Sequence, residues 1–122
     1  MRDHRKLRAF ELADDLVMTV YRNTAHFPKE EMFGLTSQLR RAAVSIPSNI
    51  VEGCARSSER EYLRFLEIAY GSVKEVEYQI GLSYRLAFLG QLAHNELASR
   101  ASETAKVLNG LIKALRRQPP PA

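Results

Sequence analysis

Residues 97–115, LASRASETAKVLNGLIKAL, place Leu97, Ala101, Thr104, Leu108, Leu111 and Leu115 at alternating steps of four and three, the spacing of a coiled-coil seam. Residues so spaced share a face only in a helix, and an apolar stripe on one face needs partners to cover it. Three upstream segments supply matching stripes.

The segment before it runs from Ser58 to about Leu89 through Tyr62, Phe65, Leu66, Ala69, Val73, Val76, Ile80 and Ala87. Ser58 with Glu61 is a capping-box pattern, and Gly90 is expected to supply a left-handed C-cap. Gly53 and Arg56-Ser57-Ser58 mark the turn ahead of it. A second helix is predicted from about Glu30 to Ala55, with Leu35, Leu39, Ala42 or Ala43, Ile46, Ile50 and Cys54 inward. Pro47 falls inside it, where the missing N–H and the clash with the carbonyl four residues back cost about 3 kcal/mol unless the helix bends. Ser45, Ser48 and Asn49 are placed to bond the freed carbonyl, which favours a continuous helix kinked near Ala43 to Pro47; the same residues are also compatible with a true break. The first helix is read from about Leu7 to Ala25, with Phe10, Ala13, Val17, Val20 and Tyr21 inward and Pro28 in the following turn.

Short connections force neighbouring helices to run in opposite directions, so the fold class is all-α, an antiparallel up-down-up-down four-helix bundle with a Pro-kinked second helix. At 122 residues, residues 1–118 suffice for one domain and one core, and Pro119, Pro120 and Pro121 leave 119–122 as a disordered tail. A hydrophobic share of 45% with 26% charged residues excludes general disorder. The single cysteine, Cys54, has no internal partner for a disulfide and reads as a small core residue, which suits a reducing cytoplasm. No apolar run approaches the ~18 residues of a membrane span, so no membrane partner is expected.

The chemistry of the chain is as informative for what it lacks. His4, His26 and His94 have no Glu three residues before them and lie at a terminus or in turns, so no metal site is expected. No phosphate-binding loop, nucleophile elbow or zinc-protease helix is present, and Glu75 and Glu77, two apart, point in different directions on a helix. The expectation is a protein that is not an enzyme and uses no cofactor.

Charge placement is uneven. Arg2, Arg5, Lys6 and Arg8 against Asp3 give +3 over residues 1–8, and Lys106, Lys113, Arg116 and Arg117 give +4 over 106–117. In an up-down bundle these segments share one pole with the second turn, where Arg56, Arg60 and Arg64 face Glu52, Glu59 and Glu61. Such a pole either serves a helix dipole and solubility or contacts phosphates. Arg40 and Arg41 stand apart, set between Leu39 and Ala42-Ala43-Val44, and Arg41, Ser45, Ser48, Glu52 and Arg56 form a polar stripe beside the apolar one. The third helix carries more apolar surface than one seam uses, in Leu63, Tyr70, Tyr78, Tyr84 and Phe88, with Gly71 and Gly81 permitting close approach; oligomerisation would bury the excess.

Two stretches carry a resemblance. They are residues 27–35, Phe-Pro-Lys-Glu-Glu-Met-Phe-Gly-Leu, and residues 38–53, from Gln38-Leu39-Arg40-Arg41 through Ser45-Ile46-Pro47-Ser48-Asn49 to Gly53. With Phe65-Leu66-Glu67-Ile68-Ala69-Tyr70-Gly71-Ser72, Glu75 and Gln79, they resemble the four-helix-bundle proteins encoded in intervening sequences of 23S ribosomal RNA genes. The resemblance covers nearly the whole chain, with Phe10 standing where relatives commonly carry tryptophan. It implies a homopentameric ring and a continuous, bent second helix. It also implies kinship with the accessory variability determinant of diversity-generating retroelements, which binds nucleic acid and a reverse transcriptase.

The expected function is therefore a non-catalytic oligomer that binds RNA or DNA through its backbone. The candidate contacts are Arg5, Lys6, Arg8, Arg40, Arg41, Arg56, Arg60, Arg64, Lys113, Arg116 and Arg117. The alternative is a scaffolding homo-oligomer whose partner is a protein such as a reverse transcriptase, with Arg40 and Arg41 paired to carboxylates such as Glu52 at a subunit interface.

Overall fold

The computed structural model describes residues 2–117, and the expected tail at 119–122 lies outside them. Four helices carry the chain: α1, Arg8–Thr24; α2, Leu35–Cys54; α3, Glu59–Arg85; and α4, Gln91–Arg116. Single turns of 3-10 helix precede α1 at His4–Lys6 and α2 at Lys29–Glu31, and no strand is present among the described residues. Each helix packs against two neighbours, α1 on α2, α2 on α3, α3 on α4 and α4 back on α1. One core runs between them, including the fully buried Leu16, Leu39, Ile46, Ile50, Leu66, Val73, Ile80, Leu97 and Leu108.

Cross-helix contacts run in opposite order along neighbouring helices. Arg8 reaches Glu103 while Asp15 pairs with Arg100, and Glu67 pairs with Arg116 while Tyr84 stacks on His94. Likewise Ser45 bonds Ser72, whereas Gly53, nearer the end of α2, lies against Tyr62 and Phe65 near the start of α3. A methyl group on Gly53 would come within 2.9 Å of the Phe65 Cβ, so this buried glycine sits inside α2 as a contact point and does not mark the turn. Gly71 and Gly81 have open space where a Cβ would stand, so neither serves close approach within one chain.

Helix α2 runs unbroken through Pro47. The polar groups around it point elsewhere than to the carbonyl that proline frees: Ser45 Oγ lies 2.9 Å from Ser72 Oγ, and the Asn49 amide donates to the Ser45 carbonyl at 2.8 Å. Its start is later than the expected Glu30. Gly34 interrupts the path, and the Glu31 carboxylate folds back to accept the Leu35 N–H at 3.0 Å, where a Cβ on Gly34 would collide with it. Phe33 is thereby left 92% exposed.

The stripes of α2 and α3 face the core largely as expected, Phe65 being only half-buried; that of α4 holds through Leu97, Ala101, Thr104 and Leu108 before drifting, and that of α1 holds at Ala13 and Val20 but shifts elsewhere. In α1 the buried positions are Ala9, Ala13, Leu16, Val20 and the threonines 19 and 24; Phe10 and Val17 are half-buried and Tyr21 is exposed. In α4 the seam leaves Leu111 and Leu115 at the edge and passes through Ile112. A straight helix has 3.6 residues per turn, so a 3.5-residue stripe drifts off its face. Buried hydroxyls explain the rest: Thr19, Thr24, Ser83 and Thr104 each donate to the carbonyl four residues back at 2.8 Å and so enter the core satisfied.

Helix α3 begins as its capping pattern requires, with Ser58 Oγ accepting the Glu61 N–H at 3.1 Å. Its end is different from the expected glycine cap. The helix stops at Arg85, and Ala87 takes the left-handed conformation at φ 64°, while Gly90 is extended ahead of α4. The Phe88 N–H returns to the Ser83 carbonyl and that of Ala87 to the Tyr84 carbonyl, the paired bonds of a Schellman motif. Phe88 then meets Phe27 at 5.6 Å and Leu89 is buried, so packing beyond the turn holds alanine in a conformation that costs about 1–2 kcal/mol. Ala87→Gly is expected to raise stability by about 1 kcal/mol, read as a higher denaturation midpoint at unchanged slope.

Candidate nucleic-acid interface

The chain's first residues are held at the end of the bundle where α2 gives way to α3. Asp3 caps the first 3-10 turn by accepting the Arg5 N–H at 3.0 Å, and its bonds with Arg5 hold its carboxyl below the usual value. Arg2 donates to the Arg56 carbonyl at 2.9 Å, lies 3.6 Å from Glu59 and stacks over the Tyr62 ring at 4.1 Å. The far end of α4 arrives at the same pole, where Arg116 pairs with Glu67. Arg2, Ala55, Arg56 and Ser57 line an open cleft of about 610 Å³ there.

Tyr62 is buried, and loss of hydration pushes its hydroxyl up to about 12, against 10.0 for a free tyrosine. Its ionisation is disfavoured only in the folded chain, so its contribution to stability is complete below about pH 10 and is lost as pH rises toward about 12. Among five tyrosines, one phenolate absorbance step is expected to lag the rest and to coincide with alkaline unfolding.

The eleven expected contacts separate into three groups. Arg5, Arg8, Arg56, Arg64 and Arg116 sit at the pole, each engaged with a carboxylate: Asp3, Glu103, Glu52, Glu61 and Glu67 in that order. Lys6, Arg60, Lys113 and Arg117 are exposed at the same pole and make no ion pair among the described residues. Arg40 and Arg41 lie elsewhere. The Arg40 Nε donates to Thr24 Oγ1 at 2.8 Å and its guanidinium covers the Tyr21 ring at 4.6 Å, which ties it to the α1–α2 seam near the opposite pole. Arg41 borders a groove between α2 and α3 with Phe33, Ser45, Ser72 and Glu75.

The half of the rod around this pole carries eleven cations, from Arg2 to Arg8, Arg56 to Arg64 and Lys106 to Arg117, against six carboxylates, Asp3, Glu59 and Glu61 within those segments and Glu52, Glu67 and Glu103 paired to them; the remainder has seven against eight. Arginines cover two of its rings, Arg2 over Tyr62, and Arg56 at 4.8 Å and Arg64 at 5.5 Å over Phe65, while His4 meets Phe10 edge-on at 4.7 Å. Arg2 was absent from the expected contacts because its partners at 56, 59 and 62 are remote in sequence, and no local pattern marks such a contact.

No helix among the described residues is long and apolar enough to cross a membrane. The fold is similar to that of a protein of unknown function from the S23 ribosomal protein family of Bacteroides thetaiotaomicron, solved by crystallography. The two chains share 21% identity over 86% of this chain and 95% of that one, with a TM-score of 0.79. Curated proteins give no match. The sequence model described as 23S rRNA-intervening sequence protein matches residues 5–110, which include the turn at residues 27–35, the Pro47 segment and most of the polar ends just described; the chain belongs to that family.

Proposed function

We propose that the protein is a non-catalytic, oligomeric module that binds the phosphate backbone of RNA or DNA through its basic pole. The observation that carries this reading is the set Lys6, Arg60, Lys113 and Arg117, exposed cations that, like Lys106 further along the rod, make no ion pair among the described residues and stand at the one end where charge is in excess. Around them stand arginines in exposed ion pairs, each worth about 0–1 kcal/mol, a cost a phosphate readily offsets by replacing the carboxylate. Arginines cover Tyr62 and Phe65, which withholds these rings from base stacking and favours recognition of backbone and shape.

Assembly multiplies this charge. The outer face of α2 and α3 exposes Val44, Val51 and Ile68, with Gly71 open to an approaching surface, and these features support packing between subunits. A homopentamer is the assembly the family resemblance implies, and light scattering at micromolar concentration tests it, a monomer being the contrary result.

The binding test is fluorescence anisotropy with labelled single-stranded and duplex RNA and DNA across a salt series. Four phosphate contacts per subunit predict a log-log slope of about −3 to −4 for each subunit engaged, with little dependence on sequence. Absence of binding at low salt, or affinity indifferent to salt, would overturn the proposal.

A further inference from the structure

The pole opposite the basic one holds a second cleft, of about 290 Å³, between the end of α1 and the start of α2. Phe27, Pro28 and Met32 form its apolar wall, and its charged lining consists of Arg40 and Lys29, with no carboxylate. Neither cation makes an ion pair among the described residues.

Arg40 is half-buried, and its pose is fixed from two sides. Its Nε is spent on Thr24 Oγ1, whose own hydroxyl is committed to the Val20 carbonyl at 2.8 Å, and its plane rests on the Tyr21 ring. The remaining edge of the guanidinium, with its Nη donors, is already oriented and has no counter-ion among the described residues. A guanidinium held this way binds a planar oxyanion with little further loss of side-chain freedom.

Thr36 stands one helical turn before Arg40 on α2 and lines the same cleft. It is 8% exposed, and its Oγ1 is buried without a hydrogen-bond partner among the described residues. A buried hydroxyl left unpaired is destabilising, and a buried polar group without a partner requires a reason.

From these two independent features we propose that the cleft is a binding site for a small monocarboxylate with an apolar body. The carboxylate lies on the Nη edge of Arg40 beside Lys29, a χ1 rotation of Thr36 between its two helical rotamers turns its hydroxyl toward the bound anion, and the body rests on Phe27, Pro28 and Met32. The volume is at the lower limit of ligand pockets, roughly 300 to 1,000 Å³, which restricts the body to a single ring or a short branched chain. The site is independent of the nucleic-acid reading, because it uses none of the cations at the other pole.

Benzoate is the probe, followed by amide and side-chain NMR shifts of the full chain, with benzyl alcohol as its neutral counterpart and inorganic phosphate as an anion without an apolar body. Saturable shifts are expected at Thr36, Arg40 and Lys29, with benzyl alcohol and phosphate each at least about tenfold weaker, the loss of one charge-assisted hydrogen bond or of the apolar contact. Arg40→Lys, which keeps the charge but not the fork, should weaken benzoate by a similar factor. Thr36→Val should weaken benzoate while leaving the free protein as stable or more so, because the hydroxyl it removes has no partner among the described residues; that combination separates a ligand site from a merely structural threonine. Benzoate shifts that fail to saturate, equal binding of benzyl alcohol, or a Thr36→Val variant with unchanged affinity would each overturn the proposal.

Discussion

Replacing Lys6, Arg60, Lys113 and Arg117 together with alanine should lower affinity for RNA or DNA by at least about tenfold near 100 mM salt. The magnitude of the log-log salt slope should fall by about 3 per engaged subunit. These side chains are exposed and make no ion pair among the described residues, so their removal takes away phosphate contacts without stranding a carboxylate. The fold is expected to tolerate the change, since surface substitutions of this kind alter stability by about 0.5 kcal/mol or less each. Replacing Arg22, Lys29, Arg41 and Arg85 together with alanine serves as the comparison: four charges lost from exposed positions away from the pole should leave the slope nearly unchanged. Equal losses in the two variants would mean that net charge, and not the pole, governs binding.

A larger effect on stability is expected in the core. Leu66 is fully buried on α3, so Leu66→Ala removes both its transfer free energy and its packing, a loss of about 2–5 kcal/mol. Thermal denaturation at fixed protein concentration should show a fall of roughly 10 °C or more. Phe33→Ala, at a side chain 92% exposed, should change the midpoint of a single chain by little. In an assembly that covers Phe33 it would instead weaken subunit contacts and make the midpoint depend on protein concentration. The pair of variants therefore separates folding of the bundle from its association.

The helices α2 and α3 were legible because their inward positions are mostly large aliphatics and the intervening ones mostly polar, from Leu39, Ile46 and Ile50 to Leu66, Val73 and Ile80. In α1 the expected stripe holds at Ala13 and Val20 but moves by one residue from Phe10 to Ala9 and from Val17 to Leu16. Thr19 and Thr24 look polar in sequence, yet each is buried once its hydroxyl bonds a carbonyl of its own helix. Gly90 drew attention as the natural stop for α3, but the left-handed residue is Ala87, which the packing of Phe88 and Leu89 fixes; tertiary contact outweighed local preference.

The candidate site was legible as charge but not as geometry. Counting cations along the chain located the two termini and the second turn, and the bundle brings them to one end. What counting could not show is which cations are engaged. Arg56 and Lys113 are equivalent as charges in sequence, whereas in the fold one bridges Glu52 and covers Phe65 and the other is exposed without an ion pair among the described residues. Arg40 is the clearest case, since its partners Thr24 and Tyr21 belong to another helix and nothing local marks it as anchored.

The gathering of both termini's cations at one pole is tested most directly by pulsed electron resonance between spin labels on Arg5→Cys and Arg116→Cys, diluted with unlabelled protein so that only distances within one chain are read. Cys54, 2% exposed, should escape labelling. A separation close to the width of the bundle, roughly 20 to 25 Å from two helix diameters, is the expected result. A separation of about 40 Å or more, the length of the 26-residue α4, would place the two basic segments at opposite ends and contradict it.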